Sequence, residues 1–135
     1  MILRREYGAT IEECFEEIAS GLEVDAVALW SLVSDGWYGF RLREDALTDF
    51  VRRGVIALLE SGAKPVIGVW RIATADSPIQ VRPGWPPPHD WQAVDYGETT
   101  RAIADAIVEE WLASGGLPHS DPRGLWFALP SFIRG

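Results

Sequence analysis

"FVRRGVIALLESGAKPVIGVW", residues 50–70, is the stretch on which the fold turns. Its first half spaces apolar residues at helical intervals. With Ala46 and Leu47 upstream, Phe50, Val51, Val55 and Leu58 form an inner face, and Asp45, Asp49, Arg52, Arg53 and Glu60 fall outside it. The spacing predicts a helix over 44–61, with acids in its first turn as the macrodipole favours and Asp49–Arg53 as an i,i+4 pair. Gly54 sits inside that helix at a cost of about 1 kcal/mol relative to alanine, which predicts a close approach by another element. After "SGAKP" the pattern changes. "VIGVWRI", 66–72, is apolar on both sides until Arg71, so it reads as a strand that is central or covered. A long helix delivered directly into a buried strand predicts an α+β layer architecture.

Working outward, "TIEECFEEIASG" (10–21) opens on a capping box, Thr10 with Glu13, and Gly21 is placed to end the helix in a left-handed turn. Ile11, Cys14, Phe15 and Ile18 share its inner face. Asp25 is expected to cap a second helix, "AVALWSLVS" (26–34), with Gly36 as its stop, and "WYGFRL" (37–42) alternates like a short strand. "TTRAIADAIVEEWLASGG" (99–116) is the last helix, "LPHSDPRG" a loop, and "LWFAL" (125–129) a final strand stopped by Pro130. "LLESGAKP" and "WLASGGLP" echo each other as helix ends that converge on glycine and then proline. The expected fold is a single α+β domain over 1–135: about four helices on a small, mostly antiparallel sheet, with an irregular Pro/Trp-rich loop at 73–97.

The chain has 135 residues, 47% of them apolar, which is enough for one core. Its net charge of −8 is unevenly spread, with acidic flanks around a mildly basic stretch at 41–82. That balance disfavours phosphate backbones and anionic membranes and favours solubility or a basic partner. Cys14 is the single cysteine, so no internal disulfide can form and a cytoplasmic location is expected. "MILRREYG" is too short in apolar residues for a secretory core, and no apolar run reaches the ~18 residues of a membrane span. No membrane partner is expected.

Chemical motifs are sparse. "HD" (89–90) and "HSD" (119–121) offer four metal-ligating groups, but neither spacing closes on one ion, and the reading is of no metal site and no cofactor. There is no G-x-S-x-G elbow and no glycine-rich phosphate loop, and the one thiol lies on a core stripe. No catalytic residue is assigned.

"RPGWPPPHDWQAVDYG" (82–97) is the unusual stretch. Three consecutive prolines favour a stiff polyproline II segment that needs no backbone partner. Trp85, His89, Asp90, Trp91 and Tyr96 make it the candidate interaction surface, since tryptophan and tyrosine are enriched at interface hot spots. The competing structural reading is that Trp85 and Trp91 fold back to cap the core.

"FVRRGVIALLESGAKPVIGVW" also resembles the second or third helix of small acidic winged-helix-like bacterial domains, running through a glycine into a wing strand, and "GLWFALP" is similar to their returning wing strand. That resemblance implies a partly winged-helix-like fold and, as an alternative function, a DNA-binding regulator. The long helix mixes Asp45, Asp49 and Glu60 with Arg52 and Arg53, which suits phosphate poorly. The expectation is therefore a non-enzymatic, cytoplasmic protein-interaction domain of accessory, regulatory or immunity type, with a protein partner or a second copy of itself. A small enzyme using the His89/Asp90 loop is the other alternative.

Overall fold

A computed structural model describes residues 8–69 and 90–133. The first helix, α1 (Ile11–Gly21), starts at the Thr10–Glu13 capping box, with Thr10 Oγ1 accepting from the Glu13 backbone N–H. Its exit is right-handed, contrary to the left-handed turn expected at Gly21: Leu22 caps in the αR region because its side chain is drawn into the core. Asp25 caps no helix. It accepts from the Ala26 N–H, and Val27–Ala28 forms a short strand, β1, before α2 (Leu29–Ser34) begins.

The alternation at 37–42 does not produce a strand. Instead α2 widens into a π-helical turn, Asp35–Gly39. Gly36, expected to terminate the helix, sits inside this turn against the next helix, α3 (Glu44–Glu60), where a Cβ would lie 2.6 Å from Phe50 Cδ1 and 2.8 Å from Leu47 Cδ1. Close packing, rather than chain reversal, is what this glycine permits. The following loop is clamped by Arg43, whose Nη1 donates to the carbonyls of Trp37 and Leu42 while its guanidinium lies 3.5 Å from the Trp37 ring centroid. Arg41 and Glu44 both have positive φ, at 57° and 51°, at a cost of roughly 1–2 kcal/mol each for L-residues. The clamp helps hold them there.

Helix α3 (Glu44–Glu60) buries Leu47, Phe50, Val51, Gly54, Val55 and Leu58. Gly54 faces α2, where a Cβ would come within 2.5 Å of Leu32 Cδ1, the close approach that its position in the sequence indicates. The Ser-Gly stop then works as read: Gly62 has φ 97° and the Ala63 N–H reaches back to the Leu58 carbonyl.

Strand β2 (Lys64–Val69) is central. It pairs antiparallel with β4 (Leu125–Ala128) on one side and with β3 (Asp90–Ala93) on the other, and β1 adds to the far edge of β4, giving the order β1-β4-β2-β3. Strand β3 was expected to be part of an irregular loop. It pairs Gly68 with Trp91 and Ile67 with Gln92, and among the described strands it stands at the end of the sheet. Between β3 and β4 runs α4 (Thr100–Ala113), capped by Thr99. Among the described residues, four α-helices and a four-stranded antiparallel sheet make one small α+β domain.

The sheet has two unlike faces, as strand alternation requires. Val27, Ile67, Leu125 and Phe127 join the helices in the main core, around Phe50, Leu32 and Trp111. Val66, Trp91 and Ala128 form a smaller cluster with Ala26, Trp126, Phe132 and Ile133.

Candidate functional site

The residues of the 82–97 stretch separate. Trp85 and His89 lie outside the described residues, and Asp90 contributes its backbone to β3. Trp91 is only 4% exposed. Its ring packs 5.2 Å from that of Trp126 at 46°, on the sheet face away from the helices, and its backbone bridges Ile133. Trp91 is thus buried in the smaller cluster, while its neighbour Gln92 is exposed.

Tyr96 is half-buried and tied down. Its hydroxyl donates to Glu110 Oε2 on α4 at 2.6 Å, and Arg123 Nε donates to Glu110 Oε1, also at 2.6 Å. The Arg123 guanidinium lies 5.4 Å from the Tyr96 ring centroid. Burial, and after it the bond to the Glu110 carboxylate, holds the Tyr96 hydroxyl well above the ordinary tyrosine range, against the opposing pull of Arg123. A phenol held protonated in this way is no proton acceptor near neutral pH. Asp121 accepts from the backbone N–H groups of Arg123 and Leu125, which fixes the turn that delivers Arg123. The cluster therefore closes on itself and staples the β3–α4 and α4–β4 connections together.

Cys14 is fully buried and its Sγ lies 4.0 Å from Asp35 Oδ2. Its place on the inner stripe of α1 is the one its helical spacing indicates. Among the described residues no three His, Cys, Asp or Glu side chains are grouped to hold a metal ion. His119, exposed, and Asp121, engaged with its own turn, are not brought into such a group.

Among the described residues two aromatic side chains, Trp30 and Tyr38, are more than half exposed, on α2 and on the π-helical turn that follows it. Leu29, Leu32 and Val33 point inward. The outer side carries Trp30, 52% exposed, and, two turns on, Tyr38, 71% exposed. Trp30 borders a groove of about 370 Å3 between α1 and α2, which also involves Glu17, Ile18, Val27, Asp35 and Trp126. Sequence reading missed Trp30 because "AVALWSLV" is apolar throughout and so hides which side faces in. The signal was the serine pair: Ser31 and Ser34 mark the outer side of a helix whose Leu29, Leu32 and Val33 follow the i, i+3, i+4 rule.

No protein-family model, curated protein or solved structure matches the chain. Among the described residues no helix is long and apolar enough to cross a membrane.

Proposed function

We propose that this chain is a protein-interaction domain rather than an enzyme, acting in the cytoplasm as an accessory, regulatory or immunity-type protein. The observation that carries the reading is the exposure of Trp30 and Tyr38: two large aromatic rings more than half exposed, the first of them bordering a groove. Large aromatic side chains left outside a well-filled core keep their apolar surface for a partner, and tryptophan and tyrosine are the residues that most often anchor interfaces. The polar clusters support the same view. Tyr96, Glu110 and Arg123 spend their hydrogen bonds on one another, and Arg43 on the backbone of its own loop. Such bonds organise the fold.

The test uses the immobilised chain as bait, beside a Trp30→Ala/Tyr38→Ala variant. Both rings are largely solvated, so melting should change little while a reproducible partner is lost. If both forms recover the same partner set with equal yield, the two rings are not the contact surface. If the wild type recovers nothing and sediments as a monomer at all concentrations, the interaction reading fails.

A further inference from the structure

We infer that the loop carrying Arg41 and Arg43 binds a carboxylate, the side chain of an aspartate or glutamate of a partner protein, on the unspent edge of the Arg43 guanidinium with Arg41 beside it. This rests on the interaction reading above and names the polar contact that accompanies Tyr38.

The first observation is how Arg43 is built into its loop. Nη1 donates to the Trp37 carbonyl at 2.9 Å and to the Leu42 carbonyl at 2.7 Å, which uses the two protons it carries. The guanidinium carbon lies 3.5 Å from the Trp37 ring centroid, and that ring is itself packed against the main core. A guanidinium laid on a fixed ring and pinned through one nitrogen is held in orientation. What remains is the edge formed by Nε and Nη2, for which no acceptor stands among the described residues. Two N–H groups on one edge match the two oxygens of a carboxylate, and here their direction is set before a partner arrives.

The second is the pattern of charge pairing. The chain holds 20 acidic residues against 12 basic ones, so carboxylates are in surplus. Among the described arginines, Arg52 pairs with Asp105, Arg53 with Glu12 and Asp49, Arg101 with Asp105, and Arg123 with Glu110. Arg41 and Arg43 are exposed, stand one residue apart, and pair with no carboxylate among the described residues.

The third is the backbone at Arg41. Its φ of 57° is one that glycine adopts freely and that a side chain resists. Arg41 makes no hydrogen bond or ion pair among the described residues, so its guanidinium contributes nothing to the fold in return for that strain. Strain kept at a residue with no internal task marks a position that acts outward. The π-helical turn leading into the loop is likewise a feature frequent at functional sites.

The neighbours decide which anion fits. Glu44 and Asp45 follow directly and are exposed, and the chain carries −8 overall. They repel a dianionic phosphate about twice as strongly as a single carboxylate, and they repel an acid-rich segment for the same reason. The occupant is therefore one acidic side chain in an otherwise uncharged segment. Its apolar neighbours find Tyr38, 71% exposed in the π-helical turn just before Arg41.

The experiment is an NMR titration of the isotope-labelled chain with the capped tripeptide Leu-Glu-Leu, read on the arginine Nε–Hε resonances and the Tyr38 backbone amide. Matched peptides carry glutamine or phosphoserine in place of glutamate. The Arg43 resonance should saturate at a concentration at least about tenfold lower with the glutamate peptide than with the glutamine peptide. The resonances of Arg52 and Arg123, already paired, should stay still. Arg43→Lys keeps the charge and loses the fork, and it should weaken binding at the Tyr38 amide by about fivefold or more. Arg41→Gly should also weaken binding, without lowering the melting temperature, because it removes the backbone strain; a merely structural arginine would not combine these effects. Equal affinity of the glutamine peptide, equal shifts at Arg52 and Arg123, or tighter binding of the phosphoserine peptide would each overturn the proposal. So would unchanged affinity in both variants, no shift up to ~10 mM peptide, or self-association abolished by Arg43→Lys, which would assign the edge to a second copy. If the peptide fails while bait recovery still depends on Trp30 and Tyr38, the carboxylate contact is refuted and the interaction reading stands.

Discussion

Replacing Gly54 by alanine sets two well-characterised effects against each other. In an open helix the change stabilises by about 1 kcal/mol, because glycine gives up more backbone freedom on folding. In α3 the new methyl would lie 2.5 Å from Leu32 Cδ1, 2.8 Å from Cδ2 and 3.1 Å from Cγ. All three are inside the ~3.5–4.0 Å optimum for carbon contacts. No rotation of a single terminal methyl clears all three atoms, and Leu32 is fully buried, so the whole isopropyl group or the helix must shift. Overpacking of this kind costs about 1–3 kcal/mol, and the involvement of Cγ places it in the upper half of that range. The net expectation is a loss of about 1–2 kcal/mol, or roughly 3–10 °C in Tm for a chain of this size. Urea melts should show a lower midpoint with unchanged slope. The double change Gly54→Ala/Leu32→Ala should cost less than the sum of its parts, by ~1 kcal/mol or more, because the cavity accepts the methyl. A Gly54→Ala variant that melts at or above the wild type would refute the tight α2–α3 approach.

The Trp91→Ala change empties the centre of the smaller cluster and should cost about 3–5 kcal/mol, with sedimentation of the folded fraction unaltered; a small stability loss accompanied by weakened association would instead return Trp91 to the surface. Tyr96→Phe tests the staple through pH. The Tyr96 hydroxyl titrates above its unfolded value, so it favours the folded state below pH ~10, and that contribution is lost as pH rises beyond. Wild-type Tm should therefore fall more steeply than that of Tyr96→Phe above pH ~10, and parallel curves would show that the raised titration is not there.

The elements legible in the sequence are those whose local and tertiary demands coincide. Helices α1, α3 and α4 each carry a 3.6-residue apolar stripe, and in α1 and α4 a threonine cap sits where the stripe begins. Strand β2 declared its central place because "VIGV" has no polar side to give to water. The misreadings occur where tertiary contacts override a local pattern. Trp37 to Leu42 alternate like a strand, yet Gly36 fits against Phe50 and Leu47 only if the helix continues, and burial of that contact prevails. Strand β3 was hidden because "DWQA" offers one inward residue, Trp91, beside a proline-rich run that favours extended loops. The 82–97 stretch lies only partly within the described residues, with Trp91 buried and Tyr96 half-buried, while the exposure of Trp30 was not legible because its orientation depends on how α2 packs against α3.

The pairing of Val27 with Phe127 joins residues a hundred positions apart. At synthesis rates of about 5–20 residues per second, β1 waits roughly 5–20 s for the strand that completes it. Over that interval α1, α2 and α3 can already collapse on one another through Leu32, Phe50 and Gly54, since those contacts are close in sequence. The nascent chain thus acquires its helical half first and holds an unfinished sheet edge beside Trp30 until the final strand arrives. Assembly at the ribosome is therefore sequential in time, and the groove wall is among the last parts to be made.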